Sequence, residues 1–151
     1  MKIRIRPTVA IIVLASTLLL SALTPVGATA GQESLVGSWI VDVTFDQPGP
    51  PPVRDLATNT SDGLVLNTDP EFGSGNGIWT KTGPREFAVK FMHLVPVGSQ
   101  FGAGTVTVTS TVTVDKDGDT ATGPFTTVFD TTTLQATVTG TVALTRITID
   151  Q

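Results

Sequence analysis

No cysteine and no tyrosine occur among the 151 residues, and histidine occurs once. Without cysteine there is no disulfide framework, thiolate zinc site, cysteine nucleophile or lipid-modified N-terminal cysteine. Positive charge is also scarce, with nine Lys+Arg in total, and Lys2, Arg4 and Arg6 stand at the very start. Beyond residue 30, six bases face thirteen acids, a formal charge of −7. So acidic a surface has little with which to release phosphate counterions, which argues against a nucleic-acid partner. Long apolar runs are absent except for one, residues 9 to 23.

That run follows the three bases and is followed by Ala28-Thr29-Ala30, the layout of a secretory signal peptide. A membrane-spanning helix wants roughly 20 apolar residues, whereas this run is shorter and is broken by Pro25 and Gly27. The expectation is a signal peptide over 1 to 30 and one domain over 31 to 151. The domain is expected outside the cytoplasm without stable membrane insertion. Asn59-Thr60-Ser61 fits the N-glycosylation pattern, a triplet that also arises by chance.

From Trp39 onward the apolar period is two, and Val, Thr, Phe and Ile dominate, which favours half-buried strands. Trp39, Val41, Val43 and Phe45 share one face of the first run. Residues 104 to 114 set Val106, Val108, Ser110, Val112 and Val114 against a row of threonines, and residues 134 to 146 repeat the scheme. Weaker runs lie near 55 to 60, 63 to 68, 77 to 82, 86 to 94 and 119 to 129. Asp62-Gly63, Asn76-Gly77 and Asp117-Gly118 supply positive-φ turn chemistry between them. No interval combines the length and periodicity of a crossover helix, so eight strands in an antiparallel meander remain. Closing them into an up-and-down barrel removes the unpaired edges that a flat Thr/Val sheet would expose.

Long connections at 47 to 54, 69 to 76 and 95 to 103 then fall at one end of the barrel, and short ones near 61 to 62, 83 to 84 and 115 to 118 at the other. The long-loop end is the expected mouth.

Gly37-Ser38-Trp39 at the head of the first strand resembles the G-x-W motif of the lipocalins and their wider calycin relatives. The resemblance implies a Trp closing the barrel floor with a basic residue of the last strand across its ring, a position matched by Arg146. Strand order supports this independently, because closure pairs the last strand with the first. The chain lacks the T-D-Y motif and the helix after the barrel, and so is more similar to minimal, helix-free lipocalin-like barrels of small secreted bacterial proteins. Comparable compact barrels include allene oxide cyclase and the spirotetronate cyclases, which act without a cofactor.

His93 shares strand parity with Phe87, Val89 and Phe91 and is expected to point inward near the mouth. There it is either a group that orients a ligand or moves a proton, or a hydrogen-bonded lining residue. Phe45, Phe91, Phe125 and Phe129 are expected to line the interior beside it, with Ser110, Ala136 and Gly140 leaving space. A lone His without Cys gives no convincing metal site, and Asp115-Lys116-Asp117-Gly118-Asp119 lacks the length and closing Glu of a calcium loop. Gly73 to Gly77 reads as a flexible rim loop. Trp79 shares parity with Lys81 and is either inside or part of an external patch. The functional expectation is a barrel that binds a small hydrophobic molecule, with no cofactor. A cofactor-free cyclase or isomerase using His93 and a surface-binding or structural protein are the alternatives. Oligomeric state is left open.

Overall fold

The computed structural model describes residues 34–47 and 51–149. The expected signal segment, and part of the first long connection, lie outside the described residues. Eight strands follow one another: β1 (Gly37–Phe45), β2 (Val53–Asn59), β3 (Leu64–Asp69), β4 (Gly73–Lys81), β5 (Glu86–Val95), β6 (Gly104–Val114), β7 (Thr120–Thr131) and β8 (Gln135–Arg146). Each pairs antiparallel with the next, and β8 pairs with β1 to close the barrel. The fold is therefore an all-β, eight-stranded up-and-down barrel, with no helix among the described residues.

The Val/Thr alternation sets the inner and outer walls. On β6, Val106, Val112 and Val114 are at most 2% exposed, whereas Thr109, Thr111 and Thr113 face solvent. Turns with few residues tie the strands where β1 begins: Gly63 (φ 91°) and Gly118 (φ 81°) take the left-handed backbone that Asp-Gly pairs supply. Asp115-Lys116-Asp117-Gly118-Asp119 is a tight hairpin, closed by the Gly118 N–H donating to the Asp115 carbonyl.

One predicted loop is a strand. Residues 73 to 76, expected as part of a rim loop, belong to β4, and only 70 to 72 connect it to β3. The long connections at the mouth are thus reduced to 46 to 52 and 96 to 103. Glycine here serves close approach within the sheet rather than turning, apart from Gly73 (φ 73°). A Cβ on Gly77 would fall 2.0 Å from the Lys90 carbonyl oxygen, and one on Gly75 would fall 2.8 Å from the His93 ring.

The core is concentrated at the end where β1 starts. Leu35, Trp39, Phe87, Val112, Val114, Ala121 and Leu144 form one buried cluster there. Each large side chain so buried contributes roughly 1.5–3 kcal/mol. Arg146 lies opposite Trp39 across the β1–β8 pair, with its guanidinium carbon 4.1 Å from the indole centroid. Its Nε, Nη1 and Nη2 donate to the carbonyls of Gly118, Val36 and Ser34, stitching the segment before β1 to the β6–β7 hairpin. The Trp39 Nε1 donates in turn to the Leu35 carbonyl at 2.9 Å. Gly37 explains the motif's first residue: at φ 130°, a Cβ would stand 2.6 Å from Arg146 Nη1. Trp79 also turns inward, packing edge-on against Phe87 (5.6 Å between centroids) and donating to the Thr60 carbonyl, so no external patch is built on it.

Candidate functional site

Above the packed cluster, with its Leu35, Val112 and Leu144 as part of the lining, the barrel opens into a cavity of about 470 Å³. That lies within the range of roughly 300–1,000 Å³ usual for small-molecule sites. Val41, Val43, Val89, Val106, Val108 and Val142 supply much of its wall. Phe45, Phe91, Phe125 and Phe129, singled out from the sequence, all line it, and Phe45 meets Phe125 edge-on at 5.7 Å. Of the small residues expected to leave room, Ser110 and Ala136 border the cavity. Gly140 instead accommodates its neighbours, since a Cβ there would lie 2.1 Å from the Thr44 oxygen and 2.6 Å from the Phe125 ring.

His93 also lines the cavity and is 2% exposed, with its Nδ1 lacking a hydrogen-bond partner among the described residues. The ring rests on Gly75, its cross-strand partner, edge-on to Phe91 at 5.5 Å and tilted against Phe72 at 6.0 Å. Burial pushes its pKa below the ordinary value, the charge of Asp69 opposing this, so the imidazole is neutral at pH 7.

His93 is not alone among polar side chains in the cavity. Asp55 and Asn59 of β2 and Asn67 of β3 are 8%, 4% and 2% exposed and border the same cavity. One oxygen of each, the Oδ1, has no hydrogen-bond partner among the described residues. Asn67 Nδ2 reaches Asp55 Oδ2 only at 3.5 Å. Desolvation, reinforced by the neighbouring charge of Asp69, raises the Asp55 pKa to about 7. Asp69 is fixed at the hairpin tip, its Oδ1 accepting from the Glu71 and Phe72 N–H groups.

The β2–β3 wall is mixed where the rest of the barrel is largely apolar inside: Asp55, Asn59 and Asn67 point in among Val53, Ala57 and Val65, while Leu56, Leu64 and Leu66 are about half exposed outside. Val43 opposite Val53 and the Asp42–Arg54 pair outside set β2's phase, placing Asp55 and Asn59 inward. Pairing Ala57 with Asn67 then carries the same phase to β3. Asn59 is 4% exposed and lines the cavity, so a glycan on it is incompatible with this packing.

The mouth is narrowed by aromatics that the sequence reading missed. Phe72, on the three-residue β3–β4 connection, contacts Phe101 of the β5–β6 loop at 5.1 Å and Phe129 at 5.9 Å. Gln100 Nε2 donates to Glu71 Oε1 across the same gap at 2.9 Å. The Thr131 hydroxyl donates to the Phe101 carbonyl, fixing the loop to β7. Among the described residues, no group of three or more His, Cys, Asp or Glu side chains is arranged to hold a metal ion.

Chemically, the site is an apolar chamber with a polar strip along one wall and a phenylalanine pair across its entrance. The sequence matches no known protein-family model and no curated protein, so functional inference rests on this geometry.

Proposed function

We propose that the protein is an exported, lipocalin-like binding protein that holds a small hydrophobic molecule inside its barrel. The carrying observation is the cavity itself: about 470 Å³ bounded largely by Val and Phe, in a barrel of a size that can hold one small ligand. The basic, apolar and small-residue order of residues 1 to 30 supports export, and Gly37-Ser38-Trp39 with Arg146 supports the lipocalin-like assignment. Secreted protein examined by native and denaturing mass spectrometry should lack residues 1 to 30 and release an apolar metabolite on unfolding. An uncharged solvatochromic dye should bind at one site in the emptied barrel. Val108→Phe, which fills part of the cavity, should weaken the dye while preserving the β-sheet circular dichroism. Dye binding unchanged by that substitution places the ligand elsewhere and overturns the reading.

A cofactor-free cyclase or isomerase is the second reading, favoured by one observation. A carboxyl with a pKa of about 7, Asp55, shares the cavity with the neutral imidazole of His93, and general acid–base groups work best near the ambient pH. Conversion of a cell-extract metabolite, lost in Asp55→Asn or His93→Phe, would favour this reading over a carrier.

A further inference from the structure

From the polar strip of the cavity we infer that the ligand is an apolar primary amine, bound as its ammonium with the head at Asp55, Asn67 and His93. This rests on the cavity-binding reading above and narrows it to one ligand class.

Charge is the first ground. Among the described residues, the ionisable side chains that line the cavity are Asp55, Asp69, Glu71 and His93, with no Lys or Arg. A carboxylate ligand would meet only like charge and a neutral imidazole, so fatty-acid chemistry is disfavoured. An ammonium instead offsets the repulsion between Asp55 and Asp69, two acids that continuation of the β2–β3 register sets side by side.

Hydrogen bonding is the second. Asp55 Oδ1, Asn67 Oδ1 and His93 Nδ1 are buried and unpartnered among the described residues. All three can accept when the imidazole is neutral and Nδ1 carries no proton, and an ammonium presents three donors. An unpaired buried acceptor is destabilising, so the native fold retains three such groups at a cost that a donor-rich ligand removes.

Placement is the third. Asn67 pairs with Gly75, and Gly75 with His93, so the three occupy one row across β3, β4 and β5. With no side chain at Gly75, the imidazole lies over the intervening strand toward Asn67, whose amide approaches Asp55. The apolar tail would then run against Val106, Val108 and Phe129 of β6 and β7 and against Phe91 beside His93, all of which line the cavity. Asn59 lies four residues along β2 from Asp55, roughly 13 Å deeper at strand rise, too far to share the same head group.

The groups facing Asp55 set the pH response. They are Asn67 and Asp69 from β3, Glu71 from the hairpin tip and His93 from β5, while β1 presents Val41 and Val43. Raising the pH through 7 ionises Asp55 and keeps His93 neutral, and both changes favour an ammonium, which persists to about pH 10.

The test compares decylamine, decanol and decanoate below their micellar concentrations by calorimetry and dye displacement. Wild-type protein should bind decylamine roughly 10- to 100-fold more tightly than decanoate, as expected for a charge-assisted hydrogen bond. Its affinity for decylamine should rise between about pH 5.5 and pH 8.5. Asp55→Asn, nearly identical in shape, should remove most of that preference and flatten the pH dependence while decanol binding stays close to wild type. Decanol or decanoate binding as tightly as the amine overturns the inference and leaves the cavity-binding reading intact. Amine preference surviving Asp55→Asn overturns the assigned head site. Failure of all three probes and of the uncharged dye overturns both readings together.

Discussion

The two ends of the barrel share the same eight strands but, apart from Asn59, whose Oδ1 is unpartnered among the described residues beside the start of β1, they treat buried polar atoms in opposite ways. At the packed end, Trp39 is fully buried, its indole N–H is bonded to Leu35, and all three donor nitrogens of Arg146 are bonded to carbonyls. Toward the mouth, Asn67 and His93 are as deeply buried as that core, yet each keeps an unpartnered acceptor or ring nitrogen among the described residues. Burial alone does not distinguish a residue that stabilises the fold from one that serves a ligand. Hydrogen-bond satisfaction does, because native proteins pair nearly all buried polar groups and the exceptions need a reason.

The largest expected effect tests the packed end. Trp39→Ala removes an indole that touches the core cluster and Arg146, and should destabilise the protein by roughly 3–5 kcal/mol in urea denaturation. Arg146→Ala loses the cation–π contact and three hydrogen bonds on a partly exposed side chain, and should cost less, on the order of 1–3 kcal/mol. Leu66→Ala, on the exposed outer wall, provides the baseline, within about 0.5 kcal/mol of wild type. A Trp39→Ala variant no less stable than Leu66→Ala would break the contrast at its stable end.

A second effect, at the other end, runs in the opposite direction. The folded-state pKa of Asp55, about 7, stands above the ordinary carboxylate value. Between roughly pH 4 and pH 7 the native state therefore holds a proton that the unfolded chain has released, and stability falls as pH rises through that window. The loss is complete about one unit above the folded-state pKa, near pH 8. Asp55→Asn abolishes it, so the variant should be more stable than wild type at pH 8, on the order of 2–4 kcal/mol, and near wild type at pH 4. His93, with its lowered pKa, contributes a slope of opposite sign near and below pH 6.5, common to both proteins. The wild-type minus variant difference isolates Asp55. An Asp55→Asn variant that is less stable at pH 8 would show that the carboxylate is structurally paired and remove the contrast.

Sequence made the barrel legible where the inward phase is apolar. On β6 and β8 the Val/Thr alternation defines both faces without reference to neighbours, and closure of the meander brings Trp39 beside Arg146. The site was only half legible for the same reason. Phe91 and His93 sit in an apolar phase on β5 and could be assigned inward. On β2 and β3 the local pattern points the wrong way: Leu56, Leu64 and Leu66 are outside, and Asp55, Asn59 and Asn67 are inside. Only the register with β1 settles that phase, and register belongs to the assembled sheet. Gly73-Ser74-Gly75-Asn76-Gly77 misled differently, since its composition is that of a turn. Gly75 and Gly77 are required by the His93 ring and the Phe91 backbone on the adjacent strand, which no local pattern reveals.

The smallest expected change in stability is also the sharpest test of the mouth end. His93→Phe keeps a planar ring on Gly75 between Phe72 and Phe91, and replaces a buried, unpartnered nitrogen with carbon. A near volume-conserving substitution of this kind should alter stability by less than about 1.5 kcal/mol at pH 8. On acidification the variant should gain on wild type. The unfolded wild-type chain takes up a proton on histidine near pH 6.5, while burial holds the folded ring neutral to lower pH, so wild type loses stability across that interval and the variant does not. Denaturation of both proteins at pH 8 and pH 5 reads the two effects separately. If His93→Phe instead loses as much stability at pH 8 as Trp39→Ala, the imidazole is a structural element. The polar strip is then a second core, and the distinction between the two ends fails.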